Sequence, residues 1–352
     1  MSDRAGRLHA AAQKGVFHIT GGGSLFLAEL LSTPGASRTV LDARVPYAEA
    51  ALHQLLGKLQ DRACSDATAR ALAMSAYMQA RKLSDDAVFG LGCTASLATD
   101  REKKGAHRAH VALQTAHATH ALELHFSADR ATEEVALADA LWKLVFVLLG
   151  DASPSDLRVT AGRSEWHALI TGSQKAWVSG NHDGLLLIPG SFNPLHDGHQ
   201  RMIDIAEIRT GLRAALELSI GNVDKSPLDY QEIEDRLTQI RTTVDRALWL
   251  THAPTFVEKA ALFPGATFVV GADTVARIAE VRYYSDKEGR DDALDFLREQ
   301  NIRFLVFGRM VGDRFRTLES LGLPSTLARL CEGIPEHEFR ADISSTQLRS
   351  VD

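Results

Sequence analysis

Positive charge is in short supply in this chain, where 39 Lys and Arg stand against 45 Asp and Glu and give a formal net charge of −6 over 352 residues. A broad phosphate-backbone footprint needs the opposite balance, which excludes a nucleic-acid polymer as the main partner but not a local basic pocket for a mononucleotide. Only three cysteines occur, Cys64, Cys93 and Cys331, without metal-like or redox-like spacing. They read as reduced thiols of a cytoplasmic protein, outside any disulfide framework. No apolar run reaches the roughly twenty residues of a membrane span. The longest stretch, Ala136 to Gly150, contains Asp139 and Lys143 and reads as a packed helix. The opening residues MSDRAGRLHAAAQKG are polar where a secretory signal is apolar, so neither export nor a membrane partner is expected. Internal repeats and low-complexity tracts are also missing.

What is there is a globular composition, 45% hydrophobic and 24% charged, in a chain long enough for two cores. Short apolar runs (FVLLG, LLLIPG, TFVVG, RFLVFG) alternate with helix-period segments. That alternation predicts two α/β domains with parallel sheets covered by helices on both faces. The polar GDASPSD and VSGNHDG segments mark a boundary. They divide the chain into residues 1–150, a connector 151–183 packed through Trp166 and Trp177, and residues 184–352.

In the C-terminal part, Leu185 to Ile188 reads as a buried parallel strand and runs into PGSFNPLHDGH. A helix follows, with Met202, Ile205 and Ala206 at helical spacing and Gly211 as its stop. His196 and His199 therefore sit at or just before the first turn, where free N–H groups and the positive dipole end attract an anion. Gly190 and Gly198 allow close backbone approach to phosphates, while Ser191 and Asn193, with Phe192 between them, complete a loop that offers hydrogen bonds without charge. At the far end of the chain, Ser344, Ser345 and Thr346 form an N-cap signal, and Arg349 is placed for forked bonds to a phosphate. Each element alone is more economically a cap or a turn. Together they read as a triphosphate cradle.

GSFNPLHDGH resembles the (T/H)xGH signature of the nucleotidyltransferase superfamily, and DISSTQLR resembles its ISSTxxR partner. Within that superfamily GSFNP, FVVGADT and ISST are most similar to nicotinate or nicotinamide mononucleotide adenylyltransferases. The resemblance implies a Rossmann-like parallel sheet and direct displacement, in which the acceptor's phosphate attacks the α-phosphorus of Mg²⁺-bound ATP and pyrophosphate leaves. It implies His199 on the α-phosphate, His196 and Arg349 on the leaving phosphates, Asp273 near the adenosine ribose, and Lys225, on a looser match, near the substrate phosphate. No metal site caged by protein carboxylates is expected, since the HDGH segment holds Asp197 as its one acid. Transfer to another phosphorylated acceptor, with ATP or CTP, stays open, as does a homo-oligomer.

In the N-terminal part, TGGGSLFLAELLSTPGAS, VPYAEAALHQLLG, CSDATARALAMSAY and LGCTASLATD resemble in order the segments of the CinA C-terminal domain, a family that includes nicotinamide mononucleotide amidases. The likeness puts Thr20 in the place of the nucleophilic serine and Tyr47 in that of the family's tyrosine, a remnant of the amidase site. The base does not carry over, because Leu52 stands where the family has lysine; His53 or Lys58 could replace it. Gly92 to Ser96 stands where a glycine- and proline-rich loop is expected, either as a different ligand pocket or as a strand-to-loop turn. Lys103, Lys104, His107 and Arg108 read as a solvated basic face. His107, His110, His117 and His120 do not make a metal set, because strand periodicity sends His110 and His117 to opposite faces. Two readings follow: an adenylyltransferase fused to an altered amidase-like domain, and a nucleotide-binding protein whose N-terminal part is a pseudoenzyme.

Overall fold

The structure, a computed structural model, describes residues 3–11, 13–57, 62–100, 105–151, 154–221, 227–311 and 314–340. Contacts divide the chain into two units, residues 1–167 with 224–233, and residues 168–223 with 234–352.

Unit 1 runs α1 (Arg4–Ala10), β1 (Lys14–Thr20), α2 (Ser24–Ser32), β2 (Val40–Arg44), α3 (Glu49–Leu56), α4 (Asp66–Leu83), β3 (Val88–Ser96), β4 (His107–Gln114), β5 (Ala118–Phe126), α5 (Arg130–Phe146) and β6 (Arg158–Ala161). The unit boundary falls inside the next helix, α6 (Ser164–Thr171). Among the described residues the strands form one sheet in the order β2-β1-β3-β4-β5-β6. It is not parallel throughout, as the apolar runs suggested. β2, β1 and β3 pair in parallel, but β3 to β6 pair antiparallel. The reason is local: only Thr115, Ala116 and His117 link β4 to β5, far short of the dozen or more residues a parallel crossover needs.

Side chains alternate across this sheet. Phe17 packs with Phe26, Phe89, Leu137, Leu141 and Trp142 under α2 and α5, while Val16 faces Ala76 and Ala80 of α4. Each large apolar side chain withdrawn from water contributes about 1.5–3 kcal/mol. α4 comes unusually near the sheet because Gly90 and Gly92 lie beneath it; a Cβ there would stand 2.2 Å from the Ala73 and Ala69 carbonyl oxygens. Alanines on the helix and glycines in the strand are one packing device. The Ala136–Gly150 stretch is helical to Phe146 and continues as a short 3₁₀ turn, Val147–Leu149. No described helix is long and apolar enough to cross a membrane.

Unit 2 contains β7 (Ala176–Ser179), β8 (Leu186–Pro189), α7 (Asp197–Thr210), β9 (Ala215–Ser219), α8 (Tyr230–Thr243), β10 (Leu248–Thr251), α9 (Phe256–Leu262), β11 (Thr267–Gly271), α10 (Ala272–Ile278), α11 (Lys287–Glu299), β12 (Arg303–Phe307), the hairpin β13 (Arg309–Val311) and β14 (Arg314–Arg316), α12 (Ser325–Ala328) and β15 (Cys331–Ile334); residues 230–233 of α8 group with unit 1. The sheet order is β15-β12-β11-β8-β9-β10-β7. All neighbours pair in parallel except β7, an antiparallel edge on β10. From the edge strand β7 the chain crosses to β8 in the centre, winds outward through β9 and β10, then returns to β11 and winds out the other way. In Rossmann-like sheets such a reversal is where ligands bind, here beside the carboxyl ends of β8 and β11.

β8 is the predicted strand displaced by one residue, with Leu186, Leu187 and Ile188 at most 1% exposed. α7 ends where Gly211 adopts φ 70° and its N–H bonds the Glu207 carbonyl, as its sequence position predicts. Beside β8 the central strand β9 carries Glu217, 1% exposed, its carboxylate held by Lys259 Nζ at 2.7 and 2.8 Å and by Thr251 Oγ1 at 2.5 Å. Such a pair persists because both charges are bonded; removing one partner would leave the other desolvated and unpaired.

Candidate active site

The loop after β8 is fixed from several sides. The Gly190 N–H donates to the Glu217 carbonyl at 3.0 Å, and the guanidinium of Arg236 on α8, 5% exposed, donates to the Ser191 carbonyl. Phe192 takes φ 44°, unusual for a side-chain-bearing residue, and is 1% exposed with its ring edge-on to His199 at 5.5 Å. Burial of that ring holds the backbone there. A Cβ at Gly190 would lie 2.8 Å from the same ring, so glycine makes room for Phe192. Asn193 leads through a cis bond into Pro194, and Leu195 is buried.

His196 is the N-cap of α7 and His199 its third residue, with Gly198 buried between them. The rings are 4.0 Å apart by centroid. The His196 backbone N–H donates to His199 Nδ1 at 3.3 Å. An Nδ1 that accepts carries no proton, so the neutral ring bears its hydrogen on Nε2. Burial, with the nearby charges of His196 and Arg309, pushes the His199 pKa down to about 4; burial and Arg309 also lower His196. Both imidazoles are thus neutral donors at pH 7. His196 Nδ1 is buried and has no hydrogen-bond partner among the described residues.

Across the reversal, β11 ends in Gly271 and α10 begins at once, placing Asp273 in its first turn. Arg309, next after the β12 strand end Phe307-Gly308, donates to Asp273 at 3.2 Å. Its charge reaches both histidines. Arg309 and Arg236 escaped the sequence reading. Arg309 follows the run RFLVFG, which marked a strand, and a charge just past a parallel strand's carboxyl end was the available signal; Arg236 lies on an ordinary polar helix and gave none. Lys225, Ser344, Ser345, Thr346 and Arg349 lie outside the described residues. Among those described, no group of three or more His, Cys, Asp or Glu is arranged to hold a metal ion.

The residues of unit 1 that the CinA resemblance singles out are differently furnished. Thr20 ends β1, 7% exposed, and its hydroxyl donates to the Pro46 carbonyl at 3.0 Å, while Tyr47 is 67% exposed. Leu52 is buried in α3, and His53 on the same helix is exposed and lies 3.8 Å from Glu49; Lys58, Lys103 and Lys104 are outside the described residues. The N-terminus of α2 is occupied by a carboxylate of the chain itself: Glu134 Oε1 accepts from the Ser24 N–H at 2.5 Å, the Ser24 hydroxyl at 2.7 Å and the Leu25 N–H at 3.3 Å. Although burial raises the Glu134 pKa, those bonds lower it overall.

Two expectations for this part give way. Gly92 to Ser96 is neither a loop nor a turn but the end of β3, its Thr94 hydroxyl donating to the Ala63 carbonyl at 2.7 Å; the antiparallel partner β4 continues the ladder past the point where a loop was expected. His107 and Arg108 belong to β4 rather than to a solvated basic face, with His107 Nδ1 2.6 Å from the buried Glu133 carboxylate. His110 is on β4, whereas His117 lies in the tight turn that follows, so strand alternation does not apply to the pair.

The chain is similar in structure to a competence/damage-inducible protein from Agrobacterium tumefaciens, with 17% identity, 42% of this chain and 94% of that one covered, and a TM-score of 0.34. It is also similar to a competence-damaged protein (CinA) superfamily protein from Escherichia coli, with 18% identity, 41% and 84% covered, and a TM-score of 0.32. A CinA superfamily protein from Enterobacter cloacae gives 16% identity, 42% and 88% coverage, and a TM-score of 0.34. No curated protein matches the sequence. Residues 187–351 match the cytidylyltransferase-like family, and the chain therefore carries a nucleotidyltransferase enzyme domain, with β8, α7 and β11 at its centre.

Proposed function

We propose that this domain transfers AMP from Mg·ATP to nicotinate or nicotinamide mononucleotide, releasing pyrophosphate. The acceptor's phosphate oxygen forms the new bond to the α-phosphorus as the bond to the β-phosphate oxygen breaks. Catalysis of this kind rests on positioning and on neutralising charge at the transferring group. The observation that carries the reading is the pair of neutral imidazoles at the start of α7, with His199 bearing its proton on Nε2. His199 donates to the α-phosphate oxygens, and His196, together with Arg349, holds the leaving pyrophosphate. Asp273 receives the ribose, oriented by Arg309. Mg²⁺ arrives with the nucleotide.

In unit 1 we infer an amidase-like domain that no longer turns over. Its Thr20 proton is engaged by a main-chain carbonyl, and the α2 N-terminus is filled by Glu134. Pyrophosphate release tests the transferase reading: the full chain is given ATP or CTP with each of nicotinate mononucleotide, nicotinamide mononucleotide and 4′-phosphopantetheine. Release with ATP and a pyridine mononucleotide supports it. Release only with CTP, or only with phosphopantetheine, replaces the acceptor assignment.

A further inference from the structure

The strands β12 and β15 begin side by side in unit 2, at the end of the sheet away from Gly271 and Arg309. A cavity of about 200 Å³ opens there, between the end of α11, the link into β12, and α12. Buried Ile302 and Leu330 form its apolar floor. Of the seven residues that line it, three are arginines, Arg298, Arg303 and Arg329, and none is acidic. Asn301 and Thr326 complete the wall, and their side chains bond to no described residue.

Three different elements bring the cations together. Arg298 lies in the last turn of α11, Arg303 opens β12, and Arg329 caps the end of α12. Cations at helix ends complement the dipole, but Arg303 begins a strand and has no such reason to join them. Its Nη1 donates to the Arg329 carbonyl at 3.4 Å, which draws two of the three residues into one place. Neither Arg303 nor Arg329 forms an ion pair with a described carboxylate. Arg298 has one such partner, Asp295 at 3.2 Å on its own helix, which does not line the cavity. Like charges gathered around one small space repel, and an anion between them turns the repulsion into attraction. Guanidinium forks match the oxygens of a phosphate, and the space is below the roughly 300 Å³ at which pockets begin to enclose a whole drug-sized molecule.

We propose that this cavity is a second anion site of unit 2, which binds inorganic phosphate or pyrophosphate through Arg303 and Arg329, with Arg298 and Thr326 completing the contacts. The five residues of β12, at about 3.3 Å each, hold it apart from the strand's carboxyl end, beyond which Arg309 stands near His196 and His199. The site is therefore distinct from the transferase residues, and its occupancy does not depend on which acceptor they serve.

Calorimetric titration of the full chain tests this, with phosphate, pyrophosphate, ATP and acetate as probes at one ionic strength. The wild type should take up one more phosphate or pyrophosphate per chain than the double variant Arg303→Met, Arg329→Met. Should the transferase residues bind neither anion, both counts fall equally and the difference of one remains. Either single substitution should weaken the extra site about tenfold, as loss of one charge-assisted pair does, while Arg303→Lys keeps part of the binding because it keeps the charge. Without anion, the variants and the wild type should unfold at the same temperature, which shows the loss to be one of contacts rather than of fold. The proposal is overturned if wild type and double variant bind the same number of anions, if acetate fills the extra site as tightly as phosphate, or if Arg303→Lys binds no better than Arg303→Met. ATP held there as tightly as pyrophosphate would overturn the free anion in favour of a nucleotide's phosphate tail.

Discussion

The backbone N–H of His196 donates to Nδ1 of His199 at 3.3 Å, and with it the cap of α7 selects the tautomer of the residue beside it. The proton on Nε2 becomes a directed donor that no carboxylate among the described residues orients. Chain geometry at the helix start does the work usually left to a second side chain.

The proposed transfer then requires a neutral donor at the Nε2 position. Replacing His199 by Ala should lower turnover about 10²–10³-fold, the usual cost of one such donor. His199→Gln, whose amide reaches roughly the Nε2 position, should retain more activity than His199→Asn, whose amide lies nearer Nδ1. Turnover measured for the three variants decides; equal losses for Gln and Asn would remove the tautomer argument, and wild-type turnover in His199→Ala would remove the residue from the mechanism.

Arg309 lowers the pKa of both histidines. Removing its charge should let both pKa values rise, that of His199 upward from about 4. On the proposed mechanism the neutral ring is the working form, so the acid limb of the pH profile of kcat/KM should move to higher pH in Arg309→Met. A limb that stays in place, or moves to lower pH, would show that Arg309 does not act on the pair.

His18, in the middle of β1, is 0% exposed, and neither ring nitrogen has a hydrogen-bond partner among the described residues. Burial first, then the charge of Arg44, lowers its pKa to about 4. Its folded pKa is below its unfolded value of about 6.5, so between these values the unfolded chain binds the proton more readily. The neutral ring's contribution is full above pH 6.5 and is lost as pH falls toward 4, amounting to roughly 2 kcal/mol by pH 5. Urea unfolding of unit 1 at pH 7 and pH 5 should show the loss in the wild type and a smaller one in His18→Leu. An identical loss in both would acquit His18.

The strand-loop-helix around GSFNPLHDGH was legible because three signals coincide there: an apolar run, glycines, and polar residues at a helix start. Gly211 closed the same helix for an equally local reason. Glu217 and Lys259 were not legible, since a charge inside an apolar run reads as a surface position until its partner, 42 residues away, is known. The antiparallel half of the first sheet was hidden for another reason. A strand buried on both faces looks the same in sequence whichever way its neighbour runs, and only the three residues between β4 and β5 gave the direction away.

Glu134 bears on the last question, whether unit 1 hydrolyses an amide. A hydroxyl nucleophile needs a base to take its proton, and Thr20 instead gives its hydrogen to the Pro46 carbonyl. Leu52, at the position where the resemblance puts the lysine base, is buried and apolar. The N–H groups at the start of α2, which could have steadied an anionic ligand, are spent on Glu134. Glu134→Gln would keep the shape while removing the charge, and should destabilise unit 1 by about 1–3 kcal/mol through weakened bonds to Ser24 and Leu25. It should not create activity, because freeing a helix end supplies no base. The full chain incubated with nicotinamide mononucleotide should therefore release no ammonia above background, with or without the Glu134 substitution. Ammonia release that disappears in Thr20→Ala would establish a working amidase and overturn this reading.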